Sequence, residues 1–328
     1  MSSAAKQLRS LGGEGLRLDP AHVSGGPRSA RRNAGAGAGA MTIDVEDYFQ
    51  VEAFAATIDR QDWDRLPGRV ERNTCLLLDI LGEAGVQATF FTLGCIARQH
   101  PALARRIVAE GHELASHGTD HGRVDRQSPA AFRADVRNSK RILEDAGGVA
   151  VYGYRAPTFS IGRATAWAHP ILAEEGYRYS SSVYPVRHDI YGTPGAPHFP
   201  FAPCPQMIEI PLTTVRVLGK DLHASGGGYF RLFPYQLSRL LLARAGAAGP
   251  APPVFYLHPW EVDPEQPRQY EAPLRSRVRH YLNLGRTEPR LRRLLRDFAW
   301  TRMDRLYLSE ASGPFPLIPA WMDYRRSR

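Results

Sequence analysis

Cysteine is scarce in this chain. Cys75, Cys95 and Cys204 are an odd number with no CxxC pair, which argues against a disulfide framework and a cysteine-built zinc site. Cys75 falls in an apolar helical pattern and reads as core. Cys95 follows a strand-like run, where a catalytic thiol is one reading and a packed thiol the other. Lysine is scarce too: Lys6, Lys140 and Lys220 are the only lysines among 42 basic residues. An arginine-rich chain with abundant Ala, Gly and Pro looks like codon bias. The net charge is +9, and residues 1–40 carry six basic and two acidic residues, which leaves +5 for the rest by subtraction. No stripe of basic and aromatic residues accompanies that charge, so a nucleic-acid partner is not expected. No run approaches the roughly 18 apolar residues of a membrane span. No compact apolar segment follows a charged start, so no secretory signal is read and the cytoplasm is the expected location. Internal repeats are absent.

What remains is the composition of a globular protein. With 328 residues and 43% hydrophobic content, the chain can bury a sizeable core in one large or two medium domains. Residues 1–40 are rich in Gly, Ala, Ser and Arg, and the run Ala34-Gly35-Ala36-Gly37-Ala38-Gly39-Ala40 is linker-like. They are expected to be a disordered extension, with Met41 as the natural start. Strand-like runs then cover 41–45, 88–93, 113–116, 151–155, 177–181, 208–215 and 254–257. Helical patterns cover 70–84, 101–110, 129–146 (after a Ser128 cap), 165–175, 235–244, 275–284 and 289–298. This alternation predicts an α/β fold with a largely parallel sheet, open or closed as a barrel. In such sheets the site lies at the carboxyl ends of the strands.

Met41-Thr42-Ile43-Asp44-Val45-Glu46-Asp47-Tyr48-Phe49 places three carboxylates within four residues at the end of an apolar strand. Carboxylates crowded there repel one another and lose solvation, so a cation is needed. A solvated turn or a helix cap accounts for one such acid but poorly for three. His117-Gly118-Thr119-Asp120-His121 spaces two imidazoles four apart. With 11 histidines a chance pair is the competing reading. Two histidines and one carboxylate form a metal triad with open positions, and a second carboxylate can act as general base. Arg155, in Tyr154-Arg155-Ala156-Pro157, ends another strand and can hold a catalytic carboxylate ionised; otherwise it is a surface arginine. His258 ends the apolar run Phe255-Tyr256-Leu257, placed to protonate a leaving amine or simply to bond backbone.

The order of these motifs resembles the polysaccharide deacetylases with the NodB homology domain, a division of the carbohydrate esterases. The exosortase-associated (PEP-CTERM locus) subgroup is the closer match, through Asp44-Val45-Glu46-Asp47-Tyr48-Phe49, Pro185-Val186-Arg187-His188-Asp189, Gly226-Gly227-Gly228-Tyr229-Phe230-Arg231 and His258-Pro259-Trp260-Glu261. The resemblance covers roughly Met41 to Trp300, and five ordered motifs make it specific. It implies a distorted (β/α) barrel of about seven strands with a C-terminal helical extension, a catalytic domain over 41–300 and a tail over 301–328. It further implies Asp44 as general base, His258 as acid, Arg155 as the group orienting Asp44, and His117 and His121 as metal ligands. Glu46 is the favoured third ligand, with Asp47 as the alternative. Leu257 would wall an acetyl pocket; Trp260, Tyr229, Phe230, Arg187 and His188 would contact substrate. The cofactor would be a divalent metal, Zn by preference, with Co or Ni as alternatives.

The implied reaction removes N-acetyl groups from amino sugars of an exopolysaccharide or its lipid-linked precursor, at the inner face of the membrane and without an integral span. One departure stands out. In Tyr179-Ser180-Ser181-Ser182-Val183, Ser180 occupies the position where the family pattern places an aspartate that supports the catalytic histidine. Either Asp189 or Glu261 substitutes, or acid catalysis is weakened. Competing readings are a small-molecule amidohydrolase or deformylase on the same fold, and a catalytically weak carbohydrate-binding protein of an export system.

Overall fold

The computed structural model describes residues 38–248, 251–309 and 314–318. The expected extension over 1–40 lies outside the described residues as far as residue 37, and so does half of the expected tail, residues 310–313 and 319–328. The strands are β1 (Gly39–Val45), β2 (Thr89–Thr92), β3 (Glu113–Ser116), β4 (Gly153–Tyr154), β5 (Tyr179–Ser180), β6 (Phe201–Cys204), β7 (Met207–Glu209), β8 (Thr214–Val217), β9 (Lys220–His223), β10 (Val254–Leu257) and β11 (Trp300–Thr301). The main sheet runs β10-β1-β2-β3-β4-β5-β7-β6, with β11 also on β1. Every neighbour on that path is parallel except the β6–β7 pair. Seven parallel strands with a C-terminal set of helices match the expected barrel-like architecture.

The centre of the sheet explains its own sequence. All seven residues of β1 are buried, because β2 and β10 flank it and helices cover it. A parallel strand buried on both faces reads as a nearly unbroken apolar run. The exceptions are Thr42, which donates its hydroxyl to the Phe255 carbonyl, and Asp44, which accepts from Arg155. Helix Val70–Ala84 buries Leu77, Leu78 and Leu81, each contributing roughly 1.5–3 kcal/mol relative to exposure. It stops at Gly85, whose φ of 62° is a left-handed helix end. Helix Pro129–Gly147 starts where Ser128 accepts from the Ala131 amide, the expected cap.

Three boundaries differ from the sequence reading. β1 begins at Gly39, not Met41: Gly39 and Ala40 pair with Trp300 and Thr301. Residues 301–309, expected as part of a tail, belong to the fold, since Met303 and Tyr307 are buried. The single strand expected over 208–215 is two. Pro211 lacks an amide proton for a ladder, and β8 leaves the main sheet to form a hairpin with β9. That hairpin turns at Leu218 and Gly219, both with positive φ, the geometry of a tight primed turn. Leucine is an unusual residue for such a turn, which hides the hairpin from a reading of residue types.

The carboxyl ends of β1, β3, β4 and β10 open on one side of the sheet. They carry Asp44 and Glu46, His117, Arg155 and His258, in that order.

Candidate active site

Asp44 and Glu46 leave the end of β1 two residues apart and face the same space; Asp47 does not. Asp47 accepts from the amides of Tyr48 at 2.8 Å, Arg69 at 2.6 Å and Val70 at 2.9 Å. Its carboxylate therefore closes the amino end of helix Val70–Ala84, where partial positive charge favours an acid. Burial raises its pKa against the pull of those three donors. Of the two ligand alternatives, Glu46 is the one that the chain brings to the imidazoles.

Glu46, His117 and His121 each present a ligand atom, and these atoms lie within 4.8 Å of one another. His117 Nδ1 is 2.8 Å from the Arg155 carbonyl. A carbonyl only accepts, so Nδ1 carries the proton and Nε2 is left free to coordinate. Burial, ahead of the opposing pull of Asp44, brings His117 down to about 4, which keeps it neutral as a ligand must be. His121 has φ 58°; a non-glycine residue held there is a local strain of the kind that gathers at functional sites. Its Nε2 is 2.8 Å from Glu46 Oε2, yet that oxygen has no hydrogen bond of acceptable geometry. Burial pushes the Glu46 carboxyl up, but His121, His258 and His117 outweigh it and hold it at about 2. A buried carboxylate oxygen without an aligned donor, beside an imidazole nitrogen, fits a shared divalent cation. The N2O donor set suits a first-row metal with open positions.

Arg155 is completely buried and holds Asp44. Its Nη1 donates to Asp44 Oδ1 at 2.6 Å and to Thr42 Oγ1 at 2.8 Å. Nε and Nη2 donate to the carbonyl and hydroxyl of Ser181. The guanidinium lies 4.1 Å from the Phe91 ring centroid. Every face of this cation is thus occupied, and Asp44 Oδ2 is left toward the cavity, 4.0 Å from His258 Nε2. Glu209 supports the same wall: it is paired with His169 at 3.0 Å and accepts from the amides of Ser182 and Val183. Nothing in the sequence motifs flagged Glu209 or His169, because both act through a backbone segment.

Ser180 donates to Ser182. The acid that serves His258 is Glu261, one turn beyond it, with Oε1 2.8 Å from Nδ1. Glu261 Oε2 accepts from Arg231 Nε at 2.7 Å. Asp189, the other substitute weighed from the sequence, pairs instead with Arg275 and Arg279. Burial lowers His258, but Glu46, Glu261 and Asp44 together raise it to about 9. Burial raises Glu261, and Arg231 and His258 overcome it to about 2. The glycine run of the 226–231 motif has a steric reason here. A Cβ on Gly227 would lie 2.0 Å from Glu261 Oε1, so only glycine lets this acid sit under the histidine.

A cavity of about 150 Å³ opens over these groups. Trp260 lines it and stacks between His258 and His280, with its indole N–H toward Glu46 Oε1 at 3.3 Å. The other expected substrate contacts lie outside that lining. Leu257 and Phe230 are core residues: Leu257 faces away because side chains alternate along β10, and Tyr256 faces the cavity instead. Tyr229 stacks on His223, His188 stacks on Tyr191, and Arg187 is exposed. Tyr191 and Thr158 are lining residues that sequence reasoning missed; Tyr191 sits on an irregular loop and Thr158 on the short 3-10 turn Pro157–Phe159. Cys95 is outside the lining as well, and burial pushes its thiol to about 12, too high for a nucleophile.

Two family descriptions match the chain: "Polysaccharide deacetylase" over residues 54–180 and a domain of unknown function, DUF3473, over residues 181–308. A chitooligosaccharide deacetylase of Bradyrhizobium sp. (strain ANU 289) is 34% identical over 97 residues, covering 30% of this chain and 42% of that protein. One from Sinorhizobium fredii is 47% identical over 68 residues, covering 21% and 29%. The peptidoglycan-N-acetylglucosamine deacetylase PgdA of Listeria monocytogenes is 31% identical over 90 residues, covering 27% and 19%. The chain thus spans less than half the length of these relatives. A crystal structure of a candidate polysaccharide deacetylase from Mycobacterium smegmatis superposes with a TM-score of 0.54 at 21% identity, over 85% of this chain and 92% of that one, which shows a shared fold. Residues 54–180 match the polysaccharide deacetylase description, and the sheet and candidate site run on into the segment of unknown function.

Proposed function

We propose that the protein is a metal-dependent deacetylase that removes N-acetyl groups from amino sugars of an exopolysaccharide or its lipid-linked precursor. The observation that carries this reading is the convergence, around one cavity, of an arginine-held carboxylate, a Glu/His/His ligand set and an acid-supported histidine. Residues Glu46, His117 and His121 would hold a divalent cation, with Zn the first choice and Co or Ni as alternatives. When bound, such a cation supplies Lewis-acid polarisation of the acetyl carbonyl and of water. Asp44, fixed through Oδ1 by Arg155, presents Oδ2 to take a proton from the attacking water. The water oxygen bonds to the acetyl carbon, and the carbon–nitrogen bond breaks. His258, facing the cavity through Nε2 and supported by Glu261 through Nδ1, gives the proton that the departing amine needs. Acetate and the free amine are the products.

Relatives named as chitooligosaccharide and peptidoglycan-N-acetylglucosamine deacetylases support the substrate class. The resemblance of the motifs around Arg187 and Gly226 to Arg231 to the exosortase-associated subgroup supports a substrate that would meet the protein at the inner membrane face. Among the described residues no helix is long and apolar enough to cross a membrane. The test is acetate release from defined N-acetylated oligosaccharides with added Zn²⁺, Co²⁺ or Ni²⁺. Asp44→Asn should abolish release while metal analysis still finds the ion, and His117→Ala should lose both. Full turnover in either variant overturns the assignment.

A further inference from the structure

Helix Leu274–Tyr281, at the rim of the cavity, has two unlike sides. Inward, Arg279 and His280 line the cavity over Asp44 and His258, and His280 stacks on Trp260 at 4.1 Å between centroids. Outward, Leu274 is 71% exposed and Val278 is 55% exposed; Tyr270, just before the helix, is 72% exposed. Single apolar side chains on a surface need no explanation. These three are gathered. Leu274 and Val278, four apart, share one helix face, and with Tyr270, Tyr281, Arg268 and Arg277 they line one shallow groove of about 340 Å³. The floor of that groove is fixed: the Tyr281 hydroxyl accepts from the Gln269 amide at 2.7 Å and donates to the Pro267 carbonyl at 3.1 Å. The loop before the helix is thereby tied to its end.

The charge of this face has one sign. From Arg268 to Arg279 the chain carries four arginines and a single acid, Glu271. Arg275 and Arg279 are tied to Asp189. Arg268 and Arg277 have no ion-pair partner among the described residues, and no carboxylate lines the groove. Their guanidiniums lie over the rings of Tyr281 at 4.3 Å and Tyr270 at 5.4 Å. The matching occupant is apolar at its centre and anionic at its rim. A bilayer with anionic headgroups has both features, at the depth where tyrosine and arginine settle. A second copy of the chain fits poorly. An isologous contact would set these arginines against each other, and three apolar side chains fall well short of the roughly 800 Å² per partner of a stable dimer. We propose that helix Leu274–Tyr281 and the loop before it dock the protein on an anionic lipid surface. A helix is about 10–12 Å across with its side chains, so a bilayer on the outer side stands one helix width from the cavity on the inner side. The proposal rests on the deacetylase reading for what docking serves, delivery of a lipid-linked glycan, but lipid binding itself requires no turnover.

The experiment pairs vesicle binding with kinetics on the full chain. Co-sedimentation measures partition onto vesicles of mixed phosphatidylglycerol and phosphatidylcholine, and onto phosphatidylcholine alone. The protein should bind the former, bind the latter far less, and be released by salt. Arg268→Gln and Arg277→Gln should each lower the partition about fivefold. The double variant Leu274→Ser, Val278→Ser should lower it about tenfold. These side chains lie outside the cavity lining, so melting temperatures and acetate release from soluble chitotetraose by the metal-loaded protein should not change. Release from an N-acetylated oligosaccharide anchored to the same vesicles through a lipid should fall with the partition. No vesicle binding, equal binding to both lipids, or partition unchanged in these variants overturns the docking face. So does a dimer in solution that Leu274→Ser disperses, since the occupant is then a second copy. Lipid binding that the variants remove, with no acetate release from soluble or anchored glycan, upholds the docking face and overturns the deacetylase reading instead.

Discussion

Replacing Glu261 by glutamine tests the site where it departs most from the sequence pattern. Glu261 is fully buried between two cations, with His258 Nδ1 at 2.8 Å on one oxygen and Arg231 Nε at 2.7 Å on the other. Glutamine keeps the size and part of the hydrogen bonding but removes the charge. Breaking a buried pair by neutralising one partner costs roughly 3–5 kcal/mol. The lower end applies here, because Arg231 also donates to the carbonyls of His280 and Leu282. The catalytic loss follows from the histidine. General acid catalysis contributes about 10²–10⁴-fold, and a histidine that keeps its place but loses its anionic support forfeits the lower part of that range. We therefore expect acetate release to fall about 100-fold, equivalent to roughly 2.7 kcal/mol in the barrier, with a lower melting temperature. Asp189→Asn removes the other acid weighed from the sequence and should cost less than about tenfold. Acetate release from chitotetraose and thermal melts on the same preparations measure both. A folded Glu261→Gln protein that turns over within threefold of wild type, or an Asp189→Asn protein that is the more damaged, would refute the assignment.

Asp47→Ala should remove a helix cap and cost about 1 kcal/mol of stability while leaving bound metal unchanged, whereas Glu46→Gln should lose metal with little change in the apo melting temperature; metal analysis and melts on both variants check this, and a metal-free Asp47→Ala protein would reverse the two roles. Acid should destabilise the fold through two buried imidazoles: burial lowers His112 to about 4 and His280 to about 3, so between those values and about 6.5 the unfolded chain binds protons at these histidines that the folded one does not. Stability is then present above pH 6.5 and lost as pH falls, and urea unfolding at pH 7 and pH 5 should show the midpoint dropping. Replacing His112 by Gln should flatten that slope; an unchanged slope would show that its burial is relieved in solution.

The sequence was most legible where one residue's chemistry and one strand's end coincide. Asp44, His117, Arg155 and His258 each terminate or follow a parallel strand, and a parallel sheet brings such ends to one side. Helices with clear punctuation were equally readable: Ser128 and Pro129 open one, and Gly85 closes another. What failed did so for nameable reasons. Leu257 and Tyr256 are adjacent, and a period-two strand sends one to the core and the other to the cavity; composition alone does not say which. Asp47 has the same charge as Glu46 but is captured by three backbone amides, a competition settled only by where the next helix begins.

The boundary between the two matched segments, at residue 180, falls within the site and not between two domains. β10, from the segment of unknown function, pairs in register with β1, Ala40 through Ile43 against Val254 through Leu257, while β1 itself precedes both segments. A central strand with β2 on one side and β10 on the other cannot be satisfied by residues 54–180 alone, since one edge of β1 would be left unpaired in an apolar interior. The chemistry divides the same way. Arg155 from the first segment is held by Ser181 of the second, and it holds Asp44, which belongs to neither. His258, Glu261 and Arg231 all come from the second. Residues 181–308 therefore do not decorate a finished site. They close its sheet, furnish the proton donor of the proposed reaction, and supply in Glu261 the carboxylate that holds His258.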